Sequence, residues 1–386
     1  MAAPELLVWA GFILLSPFYV MPNGRPQPAD IVSLALLPLL MRGQRPRMPA
    51  HWRRVVLALA AFCGYVVAVN AIWGVLLLDR RAPNIGAVSM VLFYVFNAYI
   101  FVAGVLLYVR HGARFIAVTV WATVLTAAGQ VFLLALSGGD DYRESLFFNN
   151  PNQLGYFTLL AASTIAFAYT RARVRWWVAG SAIAGAAVLA ALSLSKAAMF
   201  GLAFVALAAA LRKPALLAVA AGVLLVGASL RDPAELLQKV DDRMAGIGAS
   251  DDDTLEGRGF TRITMYPEYL AFGAGEVGYD RYGSFAGELH SSWATVLFSY
   301  GVVGFVLFLR FLTSALRHLR WPDVLFLLPT VFYGFTHQGL RFRFFWVFLA
   351  VVSVVTYHAA AERRRGTDTS RARVRALPRT AQAAPA

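Results

Sequence analysis

The chain is built from long apolar runs that follow one another with only short polar segments between them. About 20 apolar residues suffice to cross a bilayer as a helix. We place twelve such runs near residues 5–21, 29–41, 54–78, 86–109, 115–136, 153–170, 177–193, 197–211, 214–230, 291–312, 323–336 and 344–361. The second, eighth and eleventh runs are short, and we interpret them as tilted helices, as re-entrant helices or as longer helices whose ends the hydropathy pattern misplaces.

Composition excludes the other broad classes of protein. Apolar residues make up 59% of the chain and charged residues only 15%, whereas a soluble domain has roughly a quarter charged residues. The aromatic content of 13% excludes a disordered chain. The sequence therefore predicts an all-α, polytopic membrane protein with about twelve transmembrane helices over residues 1–361.

The basic residues predict the topology. With both termini in the cytoplasm, 22 of the 35 Lys and Arg residues fall on the cytoplasmic side and only 7 in short outside loops. Because cytoplasmic loops of membrane proteins are enriched in Lys and Arg, we interpret the net charge of +14 as a topology signal and not as nucleic-acid binding. The N-terminus lacks a positive segment, so the first run is predicted to be a retained helix.

One outside loop differs from the other connections. Residues 231–290 hold 12 of the 21 acidic residues, and the capping box at 232–235 predicts a helix there. A loop of about 60 residues is too long for a simple connector, so we predict a partly helical periplasmic lid. Residues 362–386 are rich in Arg, Thr and Ala and are predicted to be a disordered basic tail near membrane lipids. The single cysteine, Cys63, excludes an internal disulfide.

The outside histidines are candidates for proton transfer. Only His290 and His337 fall on the outside face, and His290 directly precedes a predicted helix. The positive end of a helix dipole favours a neutral imidazole, which can accept a proton from a hydroxyl group. Glu288, two residues earlier, is placed to orient this imidazole. The structural alternative is that His290 caps the helix at the membrane interface.

Several cations are predicted to meet at the same face. Arg258 and Arg262 are spaced to share one face of a helix, and Lys196 and Arg341 lie at other outside turns. Such a set suits an anionic group, and a lipid-linked pyrophosphate is the natural candidate because arginine binds phosphate through two nitrogens. Alternatively, Lys196 extends to the interface, and the arginines form salt bridges with the acidic loop.

Polar residues beside Pro151 are candidates for binding sugar hydroxyls. These are Asn150 and Asn152, and we group His337 with them because it lies on the same face. The alternative for the asparagines is capping of a helix end. The acidic run at 251–253 resembles a metal-binding group, but its Gly, Ala and Ser neighbours favour a solvated loop. We therefore predict no metal and no cofactor.

An ordered series of segments resembles one known family. The segments are Phe-Asn-Asn-Pro-Asn-Gln at 148–153, Ser-Leu-Ser-Lys at 193–196, Gly-Arg-Gly-Phe-Thr-Arg at 257–262, Gly-Ala-Gly-Glu at 273–276, Glu-Leu-His-Ser at 288–291, Ser-Tyr-Gly-Val-Val-Gly at 299–304 and Thr-His-Gln-Gly-Leu-Arg at 336–341. Together with the hydropathy pattern, they make the chain similar to the bacterial O-antigen ligase and O-antigen polymerase family of membrane glycosyltransferases. The resemblance covers roughly residues 145–350.

The resemblance implies a metal-independent glycosyltransferase in the bacterial inner membrane, with its active site facing the periplasm. Its donor would be an undecaprenyl-diphosphate-linked glycan, and its acceptor a glycan or a lipid. His290 would activate the acceptor hydroxyl, and Lys196 with Arg258 or Arg262 would hold the diphosphate. The family often has arginine at the position of Lys196, and lysine lacks the planar fork of arginine.

Two other classes of protein remain as alternatives. A secondary transporter or flippase for an envelope glycolipid shares the twelve spans and cytoplasmic termini, although no internal repeat and no deeply placed acidic residue favours it. A non-catalytic scaffold of an envelope complex is the third class. Neither would depend on His290, and polymerase and ligase are not distinguished by the sequence.

Overall fold

The computed structural model describes residues 3–22, 25–42, 48–77, 85–137, 142–216, 255–285 and 288–376, with a few further positions between 217 and 254. All regular structure in these ranges is helical, without a strand. Six helices among them are long and apolar enough to cross a membrane, at Ala50–Leu77, Met90–His111, Ala113–Leu136, Trp176–Ser193, Ser292–Ala315 and Arg343–Arg365. The protein is therefore a helical membrane protein.

The chain forms α-helices in the following order. The first nine are α1 (Pro4–Leu15), α2 (Pro28–Leu34), α3 (Leu36–Met41), α4 (Ala50–Ala71), α5 (Ile85–His111), α6 (Ala113–Ser137), α7 (Pro151–Ala168), α8 (Trp176–Ser193) and α9 (Lys196–Arg212). The later ones are α10 (Thr261–Met265), α11 (Ser292–Ala315), α12 (Trp321–Val324), α13 (Leu328–Thr336) and α14 (Arg343–Ala376). A π-helical turn, Ile72–Leu77, extends α4.

Most of the predicted spans coincide with these helices. Two short runs are divided, 29–41 into α2 and α3 and 323–336 into α12 and α13. Pro38 explains the first division, because it has no N–H to bond the carbonyl of residue 34, where α2 ends. The run at 214–230 and the loop residues 246–254 lie almost entirely outside the described residues, so the count of twelve spans stays a prediction.

The C-terminal tail differs from its prediction. Helix α14 continues to Ala376 and so includes residues 362–376, which were predicted to be disordered. Three alanines at 359–361 precede the charged residues, and Ala, Glu and Arg all have high helix propensity. Disorder stays a prediction for residues 377–386, which lie outside the described part of the chain.

Two helices occupy the centre of the bundle. In α7 every residue from Leu154 to Ala168 is buried, as expected of a helix that has neighbours on all sides. It packs against α6, α8, α9 and α14. Helix α14 buries an apolar surface that includes Trp346 and Phe348, and it also packs against α5. The hydrophobic core therefore lies inside the helical bundle, around α7 and α14.

Part of the predicted periplasmic lid is inserted between helices. Helix α11 is broken at Gly301, whose φ of +63° departs from helical geometry. The break leaves two carbonyl groups available: Phe298 O accepts a hydrogen bond from the N–H of Ala274 at 3.0 Å, and Ser299 O accepts one from Gly275 at 2.8 Å. Residues 271–276, here called the inserted loop, therefore pack against the middle of α11 and the end of α4, in contrast to a lid that only covers the surface.

Candidate functional site

His290 lies at the start of α11, where it is exposed to solvent. The next residue, Ser291, is the N-cap: its Oγ accepts a hydrogen bond from the N–H of Ala294 at 3.2 Å and donates one to Gly334 O at 3.1 Å. The backbone N–H of His290 donates to the carbonyl of Arg258 at 3.1 Å. These bonds fix the backbone on both sides of the imidazole while leaving the ring accessible.

The segment between α13 and α14, residues 336–342, is tied to the same place and is here called the strap. Both the N–H and the Oγ of Ser292 donate to the carbonyl of His337, at 3.1 and 3.0 Å. The Arg258 guanidinium donates to the carbonyl of Thr336. The structure therefore brings Arg258, His290 and His337 to one edge of the molecule, although they come from three separate segments.

Arg341 has a different environment from the one predicted. Its Nη1 donates to Glu288 Oε1 at 2.9 Å, and its Nη2 bonds the carboxylate of Glu276. Burial alone lowers the pKa of Arg341, but Glu276 and Glu288 raise it, and the net pKa lies well above its ordinary value. The sequence placed Arg341 among the ligands of a diphosphate, whereas the structure engages both of its terminal nitrogens with carboxylates of the protein itself.

The Glu288 carboxylate is directed toward Arg341 and not toward His290. No described residue forms a hydrogen bond with the His290 ring, so the predicted orientation of His290 by Glu288 is not seen in this structure. The side chain of Glu288 is 40% exposed, in contrast to the fully enclosed Glu276. The position of His290 thus depends on its backbone contacts.

The two arginines that sequence analysis left as alternatives occupy distinct environments. Arg258 lies in a turn before α10, so it does not share a helical face with Arg262, which is in α10. Arg262 is only 1% exposed, and its guanidinium faces the rings of Tyr282 at 4.7 Å and Tyr279 at 5.4 Å. Burial lowers the pKa of Arg262. Arg258 remains partly exposed beside His290.

A second polar cluster lies around the first residue of α9, Lys196, which is partly exposed. Arg143 was not among the residues predicted from the sequence; its Nε donates to Ser193 O at 3.1 Å, in the turn before Lys196, and its Nη2 donates to Asn152 Oδ1 at 2.8 Å. Arg143 thus joins the turn that precedes α9 to the start of α7. The signal available in the sequence was an arginine shortly before the Asn-rich segment at 149–153.

The predicted glycan-binding asparagines have partners within the protein. Asn150 Oδ1 accepts the N–H of Gln153 at 2.9 Å, which makes Asn150 the N-cap of α7. Asn152 accepts from Arg143, as described above. Asn150 is exposed and Asn152 partly exposed. The capping alternative is therefore confirmed for Asn150, while sugar binding by either residue stays a prediction.

Helix α13 connects the two clusters. Tyr333 donates from its hydroxyl to the carbonyl of Asn152 at 2.9 Å and stacks on Tyr156 with 3.9 Å between the ring centroids. The ring of His337, at the end of the same helix, lies 4.6 Å from that of Tyr333. The Lys196 cluster and the Arg258–His290 edge are therefore parts of the same end of the helical bundle.

This arrangement can hold an anion and accept a proton at adjacent places. Arg258 offers a guanidinium with a partly exposed surface, and His290 offers an exposed imidazole. Lys196 adds a further cation at the same end of the bundle. Fixed cations of this kind stabilise negative charge that develops on a leaving group, and a nearby imidazole can take a proton from an attacking hydroxyl.

Comparison of the sequence with protein-family models and with curated proteins returns no match. The fold and the site define a helical membrane protein with a polar, cationic centre at one end of its bundle. A more specific assignment depends on the chemistry of that centre.

Proposed function

We propose that the protein is a membrane glycosyltransferase of the O-antigen ligase and polymerase type. It would join an undecaprenyl-diphosphate-linked glycan to an acceptor hydroxyl at the periplasmic face of the bacterial inner membrane. The observation that carries the proposal is the backbone hydrogen bond between His290 and Arg258, which brings an exposed histidine next to a partly exposed arginine at the start of α11.

In the proposed reaction, the acceptor oxygen attacks the anomeric carbon of the donor sugar. The bond between that carbon and the diphosphate oxygen breaks, and the lipid diphosphate leaves with the electron pair. His290 takes the proton of the acceptor hydroxyl and later releases it to water. Arg258 and Lys196 stabilise the negative charge on the leaving diphosphate. The energy comes from the activated carrier, so the reaction needs no ATP.

The other parts of the site receive supporting roles. Arg341, with Glu276 and Glu288, holds the strap in place and does not bind the diphosphate. Arg262 supports the loop that presents Arg258. Asn150, Asn152 and His337 line the same end of the bundle and are proposed to contact sugar hydroxyls. The proposal includes either a glycan or a lipid as the acceptor. A glycan acceptor would make the protein a polymerase, and a lipid acceptor would make it a ligase.

The proposal includes the topology predicted from the charges. Twelve spans with cytoplasmic termini place the start of α11, the strap and the loop at 231–290 in the periplasm. The distribution of Lys and Arg supports this orientation. A lipid-linked diphosphate would then lie with its head group at the level of Arg258 and with its hydrocarbon chain in the bilayer.

The test compares two histidines at opposite ends of α11. His290 precedes the helix and His318 follows it, so the 24 residues of α11 lie between them. Cells that produce the His290→Ala or His318→Ala variant at matched membrane levels are analysed for the length distribution of exported and carrier-linked glycan. We expect His290→Ala to abolish transfer, with donor accumulating on its carrier, and His318→Ala to leave the glycan unchanged.

The same experiment separates the alternatives. Single repeats left on the carrier indicate a polymerase, while full-length chains that remain unattached indicate a ligase. Unchanged glycan in the His290→Ala strain would contradict the proposal and favour a transporter or scaffold, because neither class needs this imidazole.

A further inference from the structure

Glu276 has the most enclosed carboxylate in the neighbourhood of the site. Its side chain is fully buried, with one oxygen accepting the hydroxyl of Tyr300 at 2.7 Å and the other bonding Arg341. The backbone N–H of Glu276 donates to Asn70 Oδ1 at 2.8 Å. Both carboxylate oxygens and the backbone N–H of Glu276 are therefore bonded to other parts of the fold.

The partners of Glu276 come from three different parts of the fold. Asn70 belongs to α4, Tyr300 precedes the break in α11, and Arg341 belongs to the strap. Asn70 also donates to the Tyr300 hydroxyl at 3.2 Å, which closes the network. One carboxylate at the end of the inserted loop thus joins α4, α11 and the strap.

The two carboxylates bound to Arg341 are not equivalent. Glu276 is enclosed, whereas the Glu288 side chain is 40% exposed and can exchange its contact with Arg341 for water. Removing one partner from a buried ion pair is strongly destabilising, because the remaining charge loses its compensation. Glu276 is therefore the fixed partner of Arg341, and Glu288 the adjustable one.

The network holds both ends of the helical segment that directly follows His290 and its neighbour Ser291. Tyr300 is bound at one end of residues 292–300, and Ser292 at the other end is bound by the strap through His337. We infer that Glu276 is a positioning residue, which fixes the first turns of α11 and thereby sets His290 against Arg258. The effect on glycan transfer rests on the proposed function, whereas the effect on α11 does not.

The first test uses substitutions that separate charge from size. Glu276→Gln keeps the shape but leaves Arg341 without its fixed anion, while Glu276→Asp keeps the charge. The matched control is Glu268→Gln, an exposed carboxylate in the same extramembrane segment. At equal membrane levels we expect Glu276→Gln to lower transfer roughly tenfold to hundredfold, since a displacement of about 1 Å has an effect of this size. We expect Glu276→Asp to retain more transfer than Glu276→Gln, and Glu268→Gln to transfer as the wild type does.

The second test reports on α11 without any substrate. Ala294→Cys in a Cys63→Ala background places a single thiol at a buried position in the first turn of α11, where the native side chain makes no hydrogen bond. Purified protein in detergent is treated with a soluble maleimide, and the labelling rate is measured. We expect Glu276→Gln to raise the rate at least about tenfold because local opening of the first turn becomes easier. Glu268→Gln leaves the rate unchanged.

The outcomes distinguish this inference from the proposed function. Slow labelling in the Glu276→Gln protein would overturn the positioning role, whatever the glycan shows. Faster labelling with normal transfer would also overturn it. If His290→Ala leaves the glycan normal, the proposed function fails, while labelling still decides whether Glu276 holds α11. If Glu276→Gln does not accumulate, the same comparison is made with Glu276→Asp, which must label faster than the parent.

Discussion

The backbone N–H of His290 donates a hydrogen bond to the backbone carbonyl of Arg258 across 3.1 Å. A bond between main-chain groups sets the separation of these two residues without engaging either side chain. The two residues thus lie next to each other on backbone that other contacts hold in place. Catalytic groups need support of this kind to keep their geometry.

Replacing Arg258 tests its part in this pair. Under the proposed function, we expect Arg258→Ala to lower glycan transfer about a hundredfold, the size of effect seen when one group that stabilises developing negative charge is removed. Arg258→Lys is expected to retain part of the activity, because lysine keeps the charge but binds phosphate through one nitrogen. The measurement is glycan formed per unit of membrane protein. Arg320→Ala, at the other end of α11, is the control, and equal loss in both variants would contradict the assignment.

Replacing Arg262 is expected to lower the stability of the protein and to have little direct effect on glycan transfer, in contrast to replacing Arg258. Arg262→Ala removes contacts with the rings of Tyr279 and Tyr282, and a desolvated cation–aromatic contact contributes about 2 kcal/mol. We therefore expect a lower melting temperature in detergent. Arg262→Met fills much of the same volume and should retain most of the glycan transfer, unlike Arg258→Met. An Arg262→Met protein that melts normally but transfers no glycan would show that Arg262 binds the substrate.

The helices could be predicted from the sequence because their signal is local. Length and apolar content identify α5, α6, α8 and α11 within a few residues. The division at Pro38 also has a local cause, although a hydropathy pattern shows it only as a short run. The sequence placed Arg258 and His290 on the same face of the membrane, but it put Arg258 on a helix with Arg262, whereas Arg258 lies in the turn before α10.

The contacts within the site could not be predicted in the same way. Arg341 is 65 residues from Glu276 in the sequence, and no local sequence pattern indicates that the two residues bind each other. Glu288 is near His290 in sequence, which favoured a pairing, but the strap brings Arg341 to within 2.9 Å of its carboxylate. The inserted loop depends on carbonyls released by the break at Gly301, a consequence of tertiary packing that hydropathy does not show.

The turn after α11 is expected to make stability depend on pH. Burial lowers the pKa of His318 below 6.5, and Arg317, Arg364 and Arg363 lower it further. The unfolded chain therefore binds a proton at a higher pH than the folded protein does. Stability from this residue is complete above about pH 6.5 and decreases as the pH falls through the lower folded-state pKa.

The measurement is the melting temperature in detergent between pH 7.5 and pH 5. We expect the wild-type protein to lose stability over this range, and His318→Gln to lose less because glutamine does not titrate. The control is Thr313→Ala near the same end of α11, which changes an exposed group that does not titrate and should leave the pH dependence as it is in the wild type. Identical curves for His318→Gln and the wild type would assign the dependence to other groups.

The break in α11 is expected to require glycine at position 301. Its φ of +63° with ψ of −176° belongs to a region that is essentially restricted to glycine. A Cβ there would also overlap the carbonyl of Ala271 in the inserted loop. We expect Gly301→Ala to destabilise the protein by at least about 2 kcal/mol and to lower glycan transfer, because the loop that carries Glu276 is displaced.

The control is Gly129→Ala in α6, where a Cβ meets no atom within 4 Å and alanine adds up to about 1 kcal/mol of helix propensity. Melting temperature and glycan length are measured for both. If Gly301→Ala melts and transfers like Gly129→Ala, the inserted loop does not depend on the break, and the route from Glu276 to His290 through α11 is wrong.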